Sequence, residues 1–217
     1  MGPRRILGCV ALGEHTSPWR RHRGDATRWF DNRVFLHDVP WEEYEAILAR
    51  RGDDPGLRLT YLLGELELMS PSVDHETVKT TLGRLVEAFA DELGLDLNGA
   101  GSWTIKRRED GRGAEPDECY VLGPTRGRDR PDLAIEVVWT SGGIDKLEVY
   151  RGLRVPEVWR WDDGNIQVFL LRSEHYELVA RSALLPGLDL VLVARLATSE
   201  SQSAAVRELR DAVRAAK

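Results

Sequence analysis

Three residues near the centre of the chain, Asp117, Glu136 and Lys146, are of the types that support metal-dependent hydrolysis of a phosphodiester. Mg²⁺ prefers hard oxygen ligands and binds one or two carboxylates while it keeps several waters. A neighbouring lysine orients or helps to deprotonate the attacking water, and it offsets negative charge in the transition state. These residue types are common, so their order alone is a weak signal. A purely structural ion pair between Glu136 and Lys146 is the alternative.

The sequence around Glu136 predicts a buried strand over residues 132–139. Apolar residues flank Glu136 almost continuously, which is typical of a strand that is covered on both faces. Burying a carboxylate without a partner costs on the order of several kcal/mol. Glu136 therefore requires a cation, a hydrogen-bond donor or a proton.

The neighbouring elements are predicted to place Asp117 and Lys146 on either side of this strand. Asp117 begins a strand over 117–122, and the loop to the next strand is too short for a helical crossover, which favours antiparallel pairing. Lys146 lies in a short helix that ends near residue 153. Because that helix separates the Glu136 strand from the next apolar strand, 155–161, those two strands are predicted to be parallel, with a right-handed crossover.

The rest of the chain alternates between helical and extended patterns. On the strand after Gly64, Glu65 and Glu67 share one face, and paired carboxylates in such a position are usually solvated. His75 falls in the first turn of the longest helix, where a histidine is more often a surface or capping residue. The other predicted elements are a helix from Pro40, a hairpin of 57–62 and 65–69, the long helix to residue 93, strands at 102–107 and 188–193, a loop at 108–114, a hairpin of 166–172 and 176–181, and a helix after residue 200.

Several short motifs, taken as a set, resemble the Uma-type restriction endonuclease family, a branch of the PD-(D/E)XK nuclease superfamily. The central motifs are Glu-Pro-Asp at 115–117, Pro-Asp-Leu-Ala-Ile-Glu-Val-Val at 131–138, Lys-Leu-Glu-Val-Tyr at 146–150 and Val-Pro-Glu-Val-Trp at 155–159. The upstream motifs are Gly-Glu-Leu at 64–66, Met-Ser-Pro at 69–71 and His75. The resemblance covers roughly residues 41–192.

This resemblance implies a mixed α+β fold, with a restriction-endonuclease-like central mixed sheet flanked by helices and with an upstream and a C-terminal hairpin. It implies Asp117 and Glu136 as metal-binding acids, Glu65 as a further acid and metal ligand, and His75 as a site residue without an assigned role. Glu67 matches no motif position. The implied activity is that of a DNA endonuclease dependent on Mg²⁺, for which Mn²⁺ is a substitute.

One position departs from the orthodox superfamily pattern. The catalytic lysine of that pattern lies two residues after the second acid, where this chain has Val138. The resemblance to the Uma-type branch implies a lysine displaced to the following helix, and Lys146 is the lysine near enough in sequence.

Charge and composition suggest three segments: a weakly ordered basic arm at 1–33, a single nuclease-like domain at 34–197 and a helical tail at 198–217. The net charge is −6. The arm carries seven arginines and three acidic residues, a surplus of four, so the remainder is at −10. This acidic body motivates a second hypothesis, an inactive nuclease-like fold that serves as a nucleic-acid-binding or protein-interaction module.

The remaining features favour a cytoplasmic protein without a membrane segment. No apolar run approaches the roughly 20 residues that a bilayer span requires. Two cysteines, Cys9 and Cys119, provide no disulfide framework or zinc motif. DNA is the expected partner, and a homodimer is compatible with double-strand cutting because it pairs two active sites.

Overall fold

The computed structural model describes residues 30–52, 56–101, 103–139 and 142–217. The helices are α1 (Trp41–Arg51), α2 (Val73–Leu93), α3 (Lys146–Gly152), α4 (Leu190–Leu196) and α5 (Gln202–Ala215). The strands are β1 (Asn32–Leu36), β2 (Arg58–Leu62), β3 (Glu65–Ser70), β4 (Leu97–Gly99), β5 (Ile105–Arg107), β6 (Arg112–Ala114), β7 (Glu118–Leu122), β8 (Leu133–Val138), β9 (Glu157–Asp162), β10 (Asn165–Arg172) and β11 (His175–Val179).

Two sheets organise these elements. The larger sheet has the order β11-β10-β9-β8-β7-β4, and the smaller one has the order β1-β3-β2-β6-β5. Strands β8 and β9 are parallel, while β7 and β8 are antiparallel. The mixed α+β fold and both hairpins, β2–β3 and β10–β11, are confirmed. The upstream hairpin lies in a second sheet that the sequence did not predict.

Strand β8 lies between two hydrophobic cores. Leu133, Ile135 and Val137 project towards α2, α4 and α5, whereas Ala134 projects towards α3. Successive strand side chains point to opposite faces, so Glu136 shares the α3 face with Ala134. This alternation aims the carboxylate at the helix that begins with Lys146.

The structure corrects three secondary-structure predictions. Residues 188–193 do not form a strand, because Asp189 accepts hydrogen bonds from the N–H groups of Val191 and Leu192 and caps α4. The strand predicted at 102–107 is limited to Ile105–Arg107, and residue 102 lies outside the described residues. The predicted loop at 108–114 contains β6, which pairs with β2 and β5.

The end of the predicted arm lies within a strand, whereas the predicted tail is helical as expected. Strand β1 begins at Asn32 and pairs with β3, so the end of the predicted arm is part of the folded body. Residues 1–29 of that arm lie outside the described residues. The tail forms α5, which packs on α2 with Leu209 buried and Arg214 Nη2 2.7 Å from Glu92 Oε1. None of the helices in the described part of the chain is long and apolar enough to cross a membrane.

Candidate active site

Glu136 is held by two donors from a single helix. Lys146 Nζ lies 2.6 Å from Glu136 Oε2, and the Tyr150 hydroxyl donates to Glu136 Oε1. Both donors come from α3, where an i, i+4 spacing places them on one face. Burial and the adjacent Glu136 carboxylate raise the pKa of Tyr150 well above its ordinary value, so its hydroxyl stays a donor. The sequence predicted a partner for Glu136, but not that Tyr150 would be one.

Asp117 lies beside Glu136, immediately before the neighbouring strand β7. Continuing the register in which Glu118 pairs with Ile135 by one residue sets Asp117 opposite Glu136. Its Oδ2 accepts a hydrogen bond of 2.7 Å from the Val137 N–H, and its Oδ1 accepts one from the Arg58 guanidinium. The structure therefore brings together Asp117, Glu136 and Lys146, the first three residues predicted for the site.

His75 lies in contact with this group and is fully buried. Its Nε2 is 3.1 Å from Asp117 Oδ1, without an aligned hydrogen bond, and its Nδ1 is 3.0 Å from Asp31 Oδ2. Burial alone would raise the pKa of Asp31, but the His75 hydrogen bond and charge, the Ser72 N–H and the charge of Arg33 together lower it. Asp31 thus fixes the orientation of the imidazole. Sequence reasoning missed Asp31 because it lay in the predicted arm.

The two glutamates of β3 lie in opposite environments. Glu67 is 3% exposed, so the expectation that it is solvated is wrong. Its carboxylate lies 3.4 Å from Arg33 Nε and accepts a hydrogen bond of 3.1 Å from the Ile144 N–H. The Glu65 side chain is 48% exposed and contacts His37. The role of Glu65 in the site stays a prediction.

Comparison with known proteins assigns the chain to a family. The family model described as "Putative restriction endonuclease" (Uma2) matches residues 41–199, more than two thirds of the chain. The chain belongs to the Uma2 family. A solved structure from Anabaena variabilis ATCC 29413, described as a "putative nuclease belonging to DUF820", is 14% identical, with a TM-score of 0.45, and the match covers 65% of this chain and 91% of that one. The comparison with curated proteins gave no match.

In this Uma2 member, Glu67 and Arg33 hold the loop from which Lys146 emerges. Arg33 Nη1 donates to the Gly142 carbonyl at 2.5 Å, next to the Glu67–Ile144 bond. A Cβ atom at Gly143 would approach Glu67 Oε2 to 2.7 Å, and the φ of Gly143 is +118°. The close approach and the backbone conformation both require glycine at this position.

Replacing Glu67 with alanine is expected to lower the free energy of unfolding by about 1–3 kcal/mol, because the Ile144 N–H loses its acceptor and the partly buried Arg33 loses a charged partner. The matched change, Glu65→Ala, removes an exposed carboxylate from the same strand and should alter stability by less than about 0.5 kcal/mol. Urea unfolding measures both changes. Equal losses for the two variants would contradict the assigned environments.

Two other acids in the Uma2 motifs serve the fold. Glu115 accepts hydrogen bonds from Arg51, the Leu59 N–H at 2.9 Å and Thr104 Oγ1 at 2.6 Å. Glu157 is buried at the start of β9 and binds the segment that follows β11. Its four donors are Trp159 Nε1 at 2.5 Å, Ser182 Oγ at 2.6 Å, the Ala183 N–H at 2.9 Å and the Leu184 N–H at 3.1 Å.

The donor chemistry of the pair formed by Asp117 and Glu136 fits a hard divalent cation. Two opposed carboxylates, one on β8 and one just before β7, supply the oxygen ligands that Mg²⁺ prefers. In the arrangement described here, protein donors engage both oxygens of each carboxylate, including those from Arg58 and Lys146. Among the described residues, no three His, Cys, Asp or Glu side chains form a ready-made metal cluster. A metal bound at this pair would share these oxygens with the protein donors or displace Arg58 or Lys146, because each carboxylate oxygen has two lone pairs.

Proposed function

We propose that this Uma2 protein is a metal-dependent endonuclease that hydrolyses phosphodiester bonds in DNA. The observation that carries the proposal is the opposed placement of Asp117 and Glu136 with Lys146 Nζ 2.6 Å from Glu136. Asp117 and Glu136 would hold Mg²⁺, or Mn²⁺ in its place. The metal supplies Lewis-acid stabilisation of charge on the phosphoryl group.

The protein side chains supply the positioning and part of the charge. The Lys146 side chain is 21% exposed, so its ammonium can donate to Glu136 and to a water or a phosphate oxygen at the same time. In hydrolysis, the water oxygen bonds to phosphorus as the bond from phosphorus to the leaving oxygen breaks. Lys146 orients that water and offsets the developing negative charge. Tyr150 holds the Glu136 carboxylate in place, and the Val137 N–H holds that of Asp117.

The proposal is tested by nicking of supercoiled plasmid in Mg²⁺ or Mn²⁺ and in EDTA, together with calorimetric titration of Mg²⁺. Cleavage that depends on the metal, with Mg²⁺ binding that is lost in Asp117→Ala, is the expected result. Asp129→Ala serves as the matched control, because Asp129 is exposed in the β7–β8 loop and pairs with Arg130. Equal cleavage by Asp117→Ala protein purified in the same way would indicate contamination and contradict the proposal.

A second candidate, a nuclease-like fold that binds nucleic acid without cutting it, rests on a specific observation. Arg58 donates to Asp117 and lies 2.6 Å from Glu76, so a protein cation already neutralises one proposed metal ligand. Such a module would bind DNA with a steep dependence on salt and no need for metal. Metal-independent binding without cleavage would favour this candidate.

A further inference from the structure

The sheet register places one arginine directly beside Glu136. Glu136 pairs with Arg160 across the parallel β8–β9 ladder, and Arg160 pairs with Gln167 across the antiparallel β9–β10 ladder. Residues paired directly across neighbouring strands project from the same face of a sheet. Glu136, Arg160 and Gln167 therefore form one polar row on the face that α3 partly covers.

The protein cover ends at this row. Val158, two residues before Arg160 on β9, is buried against α3. The Arg160 side chain is 34% exposed, and that of Asp162, two residues further on, is 51% exposed. Lys146, the first residue of α3, lies at the boundary, where it reaches Glu136. Arg160 is thus the next side chain in the row to the carboxylate that Lys146 contacts.

The Arg160 guanidinium retains its donors for such a ligand. Within the described ranges, its one charged contact is between Nη2 and Asp162 Oδ2 at 4.0 Å, and it forms no hydrogen bond to a described side chain. Arg172, on the neighbouring strand β10, has its Nε 3.6 Å from Glu177 and projects from the opposite face. A guanidinium presents planar N–H donors that match the oxygens of a phosphate.

We propose that Arg160, with Gln167 beside it, forms a binding subsite for a phosphate of the nucleic-acid backbone, next to the phosphodiester that is cut. This subsite rests on the proposed function, because its ligand is a neighbouring phosphate of the same substrate. Arg160 carries the charge, and the Gln167 amide adds a neutral donor in the same row. The ligand class is a phosphodiester backbone, without reference to base sequence.

Fluorescence anisotropy of a labelled DNA duplex in Ca²⁺, which replaces Mg²⁺ to suppress cutting, tests the subsite apart from catalysis. Arg160→Ala is expected to weaken binding by about tenfold and to reduce the slope of log affinity against log salt by about one. Arg160→Lys should keep most of the slope. Arg172→Ala, which removes the same charge from the opposite face, should bind like the wild type. Circular dichroism and thermal unfolding establish that each variant is folded.

The outcomes separate the subsite from the proposed function. Wild-type affinity and slope in folded Arg160→Ala, in a protein that cleaves DNA, would overturn the subsite and leave the nuclease proposal intact. Weakened binding confined to Arg160→Ala, in a protein that never cleaves, would support the subsite and reject the nuclease proposal. Equal weakening of DNA binding in Arg160→Ala and Arg172→Ala would also overturn the subsite. The loss of affinity would then depend on the net charge of the protein and not on the position of the arginine.

Discussion

Replacing Glu136 with glutamine is expected to reduce the rate of DNA cleavage at saturating DNA and Mg²⁺ by about a thousandfold. The substitution preserves the size of the side chain but removes the charge that Lys146 and the proposed metal require. The glutamine side chain also replaces one of the two acceptor oxygens with an NH₂ donor, at a position where Lys146 and Tyr150 both donate. Single-turnover cleavage of a labelled duplex measures the rate, and anisotropy in Ca²⁺ measures the affinity separately.

The matched control is Glu177→Gln, on the edge strand β11, where the carboxylate is exposed and lies 3.6 Å from Arg172. This variant should cleave at the wild-type rate. A loss of cleavage in Glu136→Gln that merely follows unfolding would appear in the thermal midpoint. Wild-type cleavage by folded Glu136→Gln would remove Glu136 from the chemistry and leave the structural ion pair with Lys146 as its role.

Replacing Glu157 with alanine is expected to lower the free energy of unfolding by about 3 kcal/mol or more. The change leaves the donors of Trp159, Ser182, Ala183 and Leu184 without their acceptor in a buried region. Urea unfolding, with the midpoint and slope fitted separately, measures the loss. Glu157 stabilises the fold and is not part of the candidate active site. The cleavage rate of the Glu157→Ala protein that remains folded should therefore stay close to the wild-type rate.

Glu157→Gln tests whether the charge matters or only the acceptor. Its amide oxygen can accept some of the bonds, so the destabilisation should lie between those of wild type and Glu157→Ala. Glu177→Ala, which removes an exposed carboxylate from the same sheet, should change stability by less than about 0.5 kcal/mol. A Glu157→Ala protein of unchanged stability would show that these hydrogen bonds do not hold the segment after β11.

The sequence predicts the centre of this molecule well because the information there is local. Uninterrupted apolar residues around Glu136 indicate a strand covered on both faces, and the structure confirms that Glu136 is buried with Lys146 as its partner. The short loop and the intervening helix fix the antiparallel and parallel pairings of β8. Membership in the Uma2 family confirms the resemblance seen in the motifs.

The remaining features depend on contacts between segments distant in sequence. Asp31 reaches His75 across 44 positions, and Arg58 reaches Asp117 across 59. Alternation along β3 places Glu65 and Glu67 on the same face, so the sequence pattern does not distinguish them. In the structure, Glu67 accepts a hydrogen bond from the Ile144 N–H. Residues 188–193 resemble a strand because they are apolar, whereas the Asp189 cap decides in favour of a helix.

Two cations around the candidate site, Arg33 and Arg58, come from the smaller sheet, while Glu136 belongs to the larger one and Asp117 immediately precedes β7 of that sheet. Arg58, at the start of β2, binds Asp117 across this boundary, and Arg33 of β1 binds the loop that precedes Lys146. A displacement of one sheet relative to the other would break the Arg58 contact and remove a cation from Asp117 Oδ1. If Asp117 holds a divalent cation as proposed, the affinity for that cation is thermodynamically linked to the spacing between the sheets, and a substrate that changes this spacing would also change how tightly the cation is held.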